Sequence, residues 1–301
     1  MGAAKFIRGL VRKIASERLT VVVNTGDDED FYGLYVSPDV DTVTYTLANV
    51  VHPGQGWGRR DESFKVLEEL TRFFGDAWFR LGDRDLATHL YRTHRMRAGA
   101  GLGEITAEIV RRFGIKSRVL PMSNDRVRTF VKLRRKGAIP FQEYFVKGRA
   151  AGDVEAIELR GIEKARPLPA VLEAIKSSRG IILAPSNPFV SLGPILGLRG
   201  VRTALASVKD RVAAISPIVG GRTIKGPADK MLRGLGMEVS PLAVARLYRD
   251  IVGIFILDHV DRDWIEPIRA LGMKAVAADT IMSTPARAAR LAGIVLEALA
   301  V

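Results

Sequence analysis

Two acidic side chains stand one residue apart in the segment SPDVDT, where only a valine separates Asp39 from Asp41. Paired oxygen ligands of this kind suit Mg²⁺, a small hard cation that proteins usually hold with one or two carboxylates together with substrate phosphates. A bound Mg²⁺ would offset the charge of a diphosphate. The spacing therefore favours a magnesium site at Asp39 and Asp41.

Two other interpretations fit the same residues. Asp41 could cap a helix that begins at Thr42, which would leave Asp39 in solvent. The letters DVDTV also fit the Asp-x-Asp nucleophile of phosphatases of the haloacid dehalogenase type. That class needs an apolar strand directly before the first aspartate, and Ser37 and Pro38 interrupt such a strand here. We favour the cation site over both.

A second group of charged side chains occurs in the segment RLGDRDLATHLYRTH. Asp83 or Asp85 could cap a helix, and Arg84 could bind a carboxylate or a phosphate with its forked guanidinium group. An exposed surface of ion pairs is the alternative. The histidines of the chain are scattered, so we predict no metal ligation by histidine.

Polar side chains follow the predicted strands. The run LTVVVNTGDD predicts a buried strand that leads into a polar turn, and strands and helices alternate from residue 169 onward. Ligands of a parallel sheet bind outside the carboxyl ends of its strands. Each of these residues alone could be an ordinary turn former. Together they predict a ligand site that includes Asn24, Thr25, Ser123, Asp125, Ser186 and Asn187.

The segment APSNPFVSLGPI is the most informative of these strand ends. A buried strand runs into Ser186, Asn187 and Pro188 and then into a turn around Gly193. Backbone amides in such a turn can bind phosphate. The segment matches neither the Walker phosphate loop nor the three-glycine dinucleotide fingerprint, so the prediction of an anion site rests on the strand-turn pattern.

The order of elements predicts an α/β fold with a mainly parallel sheet and helices on both faces. Helical patterns with no convincing strand between them predict a small helical insert at about residues 50–114. Short strand patterns after the insert predict antiparallel pairs at a sheet edge. We expect residues 1–301 to form a single domain.

The charge balance and composition limit the possible functions. The 301 residues include 46 lysines and arginines against 33 aspartates and glutamates, a formal net charge of +13, which implies attraction to anions. The basic residues are dispersed and form no nucleic-acid motif, so we expect a phosphorylated small molecule and no nucleic acid. The lack of cysteine excludes disulfides and thiolate catalysis. Without a long apolar run or a signal-peptide pattern, we expect a cytoplasmic protein with no membrane contact.

Seven motifs resemble the 2-phospho-L-lactate transferase family of coenzyme F-420 biosynthesis, and the resemblance runs from Met1 almost to Val301. It implies a Rossmann-like fold and a homodimer. It also implies a reaction, assisted by Mg²⁺, in which the deazaflavin alcohol Fo attacks the phosphorus of lactyl- or enolpyruvyl-diphosphoguanosine and GMP leaves. The motifs are VVVNTGDDEDFYGLYVSPDVDTVTYTL, RLGDRDLATHLYRT, GIKSRVLPMSND, FQEYFVKGR, LAPSNPFVSLGPIL, AISPIVGGRTIKGPADKML and ADTIMSTPARAARLA.

The resemblance also implies roles for residues. Asp39 and Asp41 match the family's acidic pair and are expected to hold Mg²⁺, and Asp41, Arg80 and Thr25 are expected to contact Fo. Asp83 and Asp85 would support this site, and one of the four carboxylates would take the hydroxyl proton. Asp41→Asn is expected to abolish transfer without unfolding the protein. The residues expected to bind the guanosine diphosphate are Lys5, Asn24, Ser123, Asp125, Ser186, Asn187 and Gly193.

The amino end departs from the family pattern. Family members usually begin with an apolar strand and a Gly-Gly-Thr-Gly turn before the segment matched here by GAAKF, whereas this sequence starts at Met1 and Gly2. That strand would be central to the sheet, so the chain as written is expected to bind the donor weakly and to be poorly stable. A nucleotide-sugar-binding regulator of similar fold is the alternative function, and the sequence does not distinguish a lactyl from an enolpyruvyl donor.

Overall fold

The computed structural model describes residues 2–301. Its α-helices are α1 (Gly2–Leu10), α2 (Pro38–Leu47), α3 (Lys65–Phe74), α4 (Asp83–Arg97), α5 (Leu102–Arg112), α6 (Pro169–Ser177), α7 (Leu192–Gly197), α8 (Val201–Ala206), α9 (Ala228–Gly234), α10 (Pro241–Tyr248), α11 (Ile265–Arg269) and α12 (Pro285–Leu299). Its strands are β1 (Thr20–Val23), β2 (Glu29–Phe31), β3 (Leu34–Val36), β4 (Arg118–Pro121), β5 (Arg128–Leu133), β6 (Gly137–Pro140), β7 (Val154–Arg160), β8 (Ile181–Leu183), β9 (Val212–Ile215), β10 (Ile218–Val219), β11 (Arg222–Thr223), β12 (Ile254–Asp258) and β13 (Lys274–Ala278).

A four-stranded parallel sheet in the order β13-β12-β9-β8 forms the centre of the molecule. Every residue of β9 and β12 is buried. Alternate side chains enter two separate apolar clusters, with Ala214 and Phe255 in one and Ala213 and Ile256 in the other. Because successive residues of a strand point to opposite faces, the two clusters lie on opposite faces of the sheet. The predicted parallel sheet with helices on both faces is confirmed.

Strands β1 and β4 form a second parallel pair, with Thr20 opposite Arg118 and Val23 opposite Pro121. Their side chains feed the same two clusters, since Val23 belongs to one and Val22 packs against the other. The pair therefore continues the layer of the four-stranded sheet. A cavity of about 600 Å³ lies between β1 and β8 and is lined by both strands and by α1.

Helices fill the chain between β3 and β4, as predicted. Between β3 and β4 the structure has no strand, and the β-type pairing there is one isolated antiparallel bridge between Val51 and Arg59. The alternative in which Asp41 caps a helix that begins at Thr42 is wrong, because α2 begins at Pro38. Proline is favoured in the first helical turn, where its missing N–H costs nothing. Asp41 therefore lies inside the helix and does not precede it.

Antiparallel strands follow the helical part. Strand β5 pairs with both β6 and β7, and two short hairpins, β2-β3 and β10-β11, lie elsewhere along the chain. The longest helices, α4 and α12, have 15 residues each. Across residues 2–301 we find no helix with both the length and the apolar character needed to cross a bilayer.

The close crossing of α1 and α12 gives a stability test. A Cβ added at Gly9 would lie 2.3 Å from the backbone carbonyl of Ala288. We expect Gly9→Ala to lower the free energy of unfolding by about 1–3 kcal/mol, because packed backbone cannot move aside for the methyl group. Equilibrium unfolding in urea measures this change.

Gly293→Ala in α12 is the matched control. A Cβ there would meet only the flexible side chain of Lys13, at 3.6 Å. Alanine favours a helix over glycine by up to about 1 kcal/mol, so this variant should be as stable as the parent or more stable. Equal losses in both variants would contradict the proposed role of the Gly9 contact.

Candidate functional site

Asn24 directly follows β1 and joins three segments of the chain. Its side-chain Nδ2 donates to Asp39 Oδ2 at 3.0 Å and to the carbonyl oxygen of Val190 at 3.2 Å. Its Oδ1 accepts the N–H of Gly26 at 2.8 Å. The end of β1, the start of α2 and the loop after β8 therefore meet at one buried amide, at the carboxyl ends of two parallel strands.

Asp27 and Asp39 form an acidic pair beside this amide. Asp27 is buried, and its Oδ1 has no hydrogen-bond partner. Burial raises the pKa of Asp27 well above its usual value, and the charge of Asp39 raises it further. Two carboxylates close together, one of them buried, repel each other unless a cation or a proton lies between them. The Asp27–Asp39 pair and its free oxygen fit a divalent cation with oxygen ligands.

The loop after β8 supplies polar groups next to this pair. Ser186 and Ser191 line the same end of the cavity as Asn24 and Asp39. The side chain of Asn187 shapes the loop, because its Oδ1 accepts the N–H groups of Phe189 at 2.9 Å and Val190 at 3.3 Å. The predicted anion loop is thus brought to the predicted strand end, and Asn187 acts in it as a turn former.

Asp41 lies in a different environment from Asp39. It is buried and forms an ion pair with the fully buried Arg92 of α4, with a second hydrogen bond from Arg92 Nη1 to Asp41 Oδ2 at 3.1 Å. His89 Nδ1 lies 3.6 Å from the same carboxylate. Residues two apart on a helix point to different sides. The structure therefore does not bring Asp39 and Asp41 together as a chelating pair.

Asp85 and His89 extend the buried network around Asp41. Asp85 Oδ1 accepts the hydroxyl of Tyr45 at 2.7 Å and lies 3.4 Å from His89 Nε2. Burial acts to raise the pKa of Asp85, but the hydrogen bond and charge of His89 outweigh it, and the pKa lies below its usual value. One oxygen or nitrogen from each of Asp41, Asp85 and His89 lies within 4.8 Å of the others. Because Arg92 already neutralises Asp41, we interpret this group as a structural network.

Asp28, the neighbour of Asp27, has a structural role. Its carboxylate accepts the hydroxyl of Ser37 at 2.8 Å and that of Tyr35 at 2.9 Å. Burial raises the pKa of Asp28 well above its usual value, although these hydrogen bonds and the charge of Arg92 oppose the shift. Asp28 thereby fixes the turn that presents Asp27 to Asp39.

Other predicted residues lie in the helical part. Asp83 accepts the hydroxyl of Ser63 at 2.6 Å and the N–H groups at the start of α3, and the Ser63 hydrogen bond is the main cause of its lowered pKa. Asp83, the first residue of α4, therefore caps the amino end of the preceding helix, α3. Arg80 lies over the ring of Phe64, 4.5 Å from its centre, and is exposed. Neither residue makes a hydrogen bond to Asn24, Asp27 or Asp39.

The remaining predicted residues divide between the site and the framework. Ser123 donates to the carbonyl oxygen of Arg166 at 2.6 Å, and Asp125 accepts the N–H of Arg166 at 2.8 Å, so both hold a neighbouring loop. Thr25 is buried and its hydroxyl oxygen has no hydrogen-bond partner. Lys5 is exposed on α1. Gly193 lies in α7, where a Cβ would come within 3.2 Å of the Pro188 carbonyl oxygen.

Sequence analysis did not identify Asp27 as a ligand. The available signal was its position, since NTGDD directly follows the apolar run of β1. What the sequence could not show is which of the two adjacent aspartates turns toward Asp39.

The fold defines an α/β protein, and its candidate ligand site lies at the carboxyl ends of parallel strands, where open parallel sheets bind their ligands. The model of the 2-phospho-L-lactate transferase CofD family matches residues 1–292. The chain belongs to this family and is a transferase.

Curated relatives match across nearly the whole chain. A phosphoenolpyruvate transferase of Streptomyces griseus subsp. griseus is 44% identical over 302 residues, which cover 99% of this chain and 95% of the relative. A 2-phospho-L-lactate transferase of Methanosarcina mazei is 38% identical over 297 residues, which cover 99% and 97%. A solved structure of a UPF0052 family protein from Bacillus halodurans superposes with a TM-score of 0.62 at 15% identity, covering 98% of this chain and 96% of that one, which shows the fold alone.

The different surroundings of Asp39 and Asp41 predict different stabilities. Asp41→Asn would leave Arg92 buried without its counter-charge, and we expect it to lower the free energy of unfolding by about 3–5 kcal/mol. Asp39→Asn removes one charge from a repelling pair and keeps the hydrogen-bonding geometry, so its stability should stay within about 1 kcal/mol of the parent. Equilibrium unfolding of both variants checks this difference. Equal stabilities would mean that the Asp41–Arg92 pair has no structural role. The expectation from the sequence that Asp41→Asn leaves the protein folded would then stand.

Proposed function

We propose that this transferase moves a phosphoenolpyruvyl or 2-phospholactyl group from a guanosine-diphosphate-linked donor to the deazaflavin Fo and releases GMP, in coenzyme F-420 biosynthesis. The family match over residues 1–292 supports the reaction class. The single structural observation that supports the location is the Asp27–Asp39 pair at the carboxyl end of β1, beside Asn24 and the loop after β8.

Mg²⁺ is the proposed cofactor, with Asp27 and Asp39 as its protein ligands. The sequence predicted Asp39 and Asp41 as the two ligands. Because Asp41 forms an ion pair with Arg92, we propose Asp27 as the second ligand instead of Asp41. A divalent cation at this pair would supply positive charge next to the diphosphate of the donor.

The residues of this chain would bind and orient the two substrates. Asn24 fixes the position of Asp39, and the hydroxyl groups of Ser186 and Ser191, which line the same cavity, would donate to donor phosphate oxygens. The Fo hydroxyl oxygen forms a bond to the phosphorus that carries the acid, the bond from that phosphorus to the GMP oxygen breaks, and the hydroxyl proton passes to a carboxylate of the site. Catalysis of this kind depends mainly on alignment and charge.

The enolpyruvyl donor is the better supported of the two. Five phosphoenolpyruvate transferases among the relatives are 40–44% identical to this chain, whereas three 2-phospho-L-lactate transferases are 34–38% identical. We also propose a homodimer, on the family resemblance alone. Sedimentation of the purified protein tests that assembly.

The decisive experiment incubates the protein with Fo, Mg²⁺ and the enolpyruvyl donor and measures GMP release. We expect Asp27→Asn and Asp39→Asn each to reduce the rate by about 100-fold or more, because each removes charge that would hold the cation at the reacting phosphate. Thermal unfolding should show that Asp39→Asn remains folded.

Asp30→Asn is the control, since Asp30 lies near Asp27 in the chain but forms an exposed ion pair with Arg126. Its rate should stay within about 2-fold of the parent, as surface ion pairs contribute little. Normal turnover in Asp39→Asn would remove the acidic pair from the mechanism. Release of inorganic phosphate without GMP would contradict the transfer reaction.

Competition between donors tests the choice of acid. With equal concentrations of enolpyruvyl- and lactyl-diphosphoguanosine, we expect mass spectrometry to find mainly the enolpyruvyl product on Fo. A product mixture dominated by phospholactyl-Fo would overturn the donor assignment and leave the reaction class unchanged.

A further inference from the structure

Two buried side-chain oxygens without a hydrogen-bond partner lie beside the acidic pair. They are Oδ1 of Asp27 and Oγ1 of Thr129, and the two residues are only 7% and 3% exposed. Both residues line one cavity of about 10 Å³, which is close to the space that a single water molecule needs. We call this space the Thr129 cavity. An acceptor and a donor that the framework does not use therefore lie at the same small cavity.

Strand β5 reaches this place through the turn after β1. The N–H of Thr129 donates to the carbonyl oxygen of Gly26 at 2.6 Å. Gly26 has no room for a side chain, because an added Cβ would lie 2.8 Å from Thr129 Oγ1 and 2.9 Å from Pro194 Cγ. The turn that leads into Asp27 is therefore held between β5 and α7, with the Thr129 hydroxyl packed against it.

Gln142, which follows β6, holds the same turn. It is buried, and its Nε2 donates to the backbone carbonyl oxygen of Asp27 at 3.5 Å. Gln142 also lines the Thr129 cavity. The antiparallel sheet β6-β5-β7 and the residue after it thus fix the backbone around Asp27, through Gln142 and the Gly26 carbonyl.

The Thr129 hydroxyl is the donor that remains for the Asp27 carboxylate. A buried carboxylate oxygen needs a donor, because burial without one costs free energy. The charged neighbour at the cavity, Arg128, already forms an ion pair with Glu29. A hydroxyl hydrogen, in contrast, rotates toward the acceptor that is present. Burial and the charge of Asp39 raise the pKa of Asp27, and the Thr129 hydroxyl opposes that rise.

We infer that Thr129 is a positioning residue for Asp27, and that its hydroxyl donates to Oδ1 so that Oδ2 faces Asp39 and the cation. This inference rests on the proposed function, since it needs Asp27 and Asp39 to hold a divalent cation. Thr129 acts through Asp27 and touches neither the cation nor a substrate. Removal of a group that orients a metal ligand in this way typically weakens metal binding by about 10–100-fold.

Binding of Mn²⁺ tests this role without substrates, because Mn²⁺ takes the same oxygen ligands as Mg²⁺ and its free ion has a paramagnetic resonance signal. We expect Thr129→Val to weaken binding by about 10-fold or more, because valine keeps the shape of the side chain and removes the donor. Thr129→Ser keeps the hydroxyl and should bind within about 2-fold of the parent. Thr129→Ala should show the same loss as Thr129→Val, which excludes a packing fault specific to valine.

Thr106→Val is the matched control. Thr106 lies in α5, is also buried, and its Oγ1 also has no hydrogen-bond partner. This variant removes the same kind of hydroxyl from a residue that does not line the Thr129 cavity, so it should bind Mn²⁺ as the parent does. A packing role alone would lower the melting temperature of Thr129→Val and leave its Mn²⁺ binding unchanged, and that result would overturn the inference.

Transfer rates measured against Mg²⁺ concentration give a second readout. We expect Thr129→Val to raise the Mg²⁺ concentration for half of the maximal rate by about 10-fold or more. The rate at saturating Mg²⁺ should stay within about 3-fold of the parent, because a bound cation itself holds Asp27 in place. A lower saturated rate with an unchanged Mg²⁺ requirement would contradict a positioning role.

Asp39→Asn separates a failure of this inference from a failure of the proposed function. If Asp39→Asn loses Mn²⁺ binding and Thr129→Val keeps it, Thr129 has no positioning role and the proposed cation site stands. If Asp39→Asn binds Mn²⁺ as tightly as the parent, the cation site is wrong and the inference about Thr129 is wrong with it. Equal losses in Thr129→Ser and Thr129→Val would also overturn the inference, because the hydroxyl would not be the cause.

Discussion

The buried ion pair between Arg92 and Asp41 is the contact on which the geometry of the site depends. Arg92 is fully buried in α4, and Asp41 is buried in α2, so the pair connects the helical part of the chain to the helix that carries Asp39. Taking both charges out of water costs free energy that only close contact and further hydrogen bonds can offset. His89 and the carbonyl oxygen of Tyr35 provide such contacts to Arg92 at 3.2 and 3.4 Å. The pair thereby holds α2 in one orientation.

The opposite side of α2 has the opposite electrostatic character. Asp39 faces Asp27 and not a cation from the protein, and the side chain that contacts it, Asn24, is neutral. A like-charged pair costs stability, whereas Asp41, two residues further along α2, has its counter-charge in Arg92. A carboxylate with a counter-charge inside the fold and a carboxylate without one therefore stand two residues apart on the same helix.

Much of the fold could be predicted because its signals are local. The alternation of strand and helix patterns from residue 169 onward predicted the parallel sheet, and α6 (Pro169–Ser177) begins where that alternation was predicted to start. The site was harder to predict because its roles depend on distant partners. Asp41 is neutralised by Arg92, which is 51 positions away in the sequence. Asp125 accepts a hydrogen bond from the backbone of Arg166, which is 41 positions away. A motif such as DVDTV shows that carboxylates are present but not which side of the helix each one faces.

The overall charge of the chain cannot replace a cation at the site. A net charge of +13 raises the concentration of anions near the protein surface, but surface charges are screened within about 10 Å at ordinary salt. The nearest fully buried arginine, Arg92, is occupied by Asp41, and Lys5 is exposed on α1. A polyanionic donor that approaches Asn24 would meet the carboxylates of Asp27 and Asp39, and neither of them forms an ion pair with a basic side chain of residues 2–301. The proposed divalent cation at the Asp27–Asp39 pair would remove this repulsion, and that is the physical reason to include a metal in the proposed reaction.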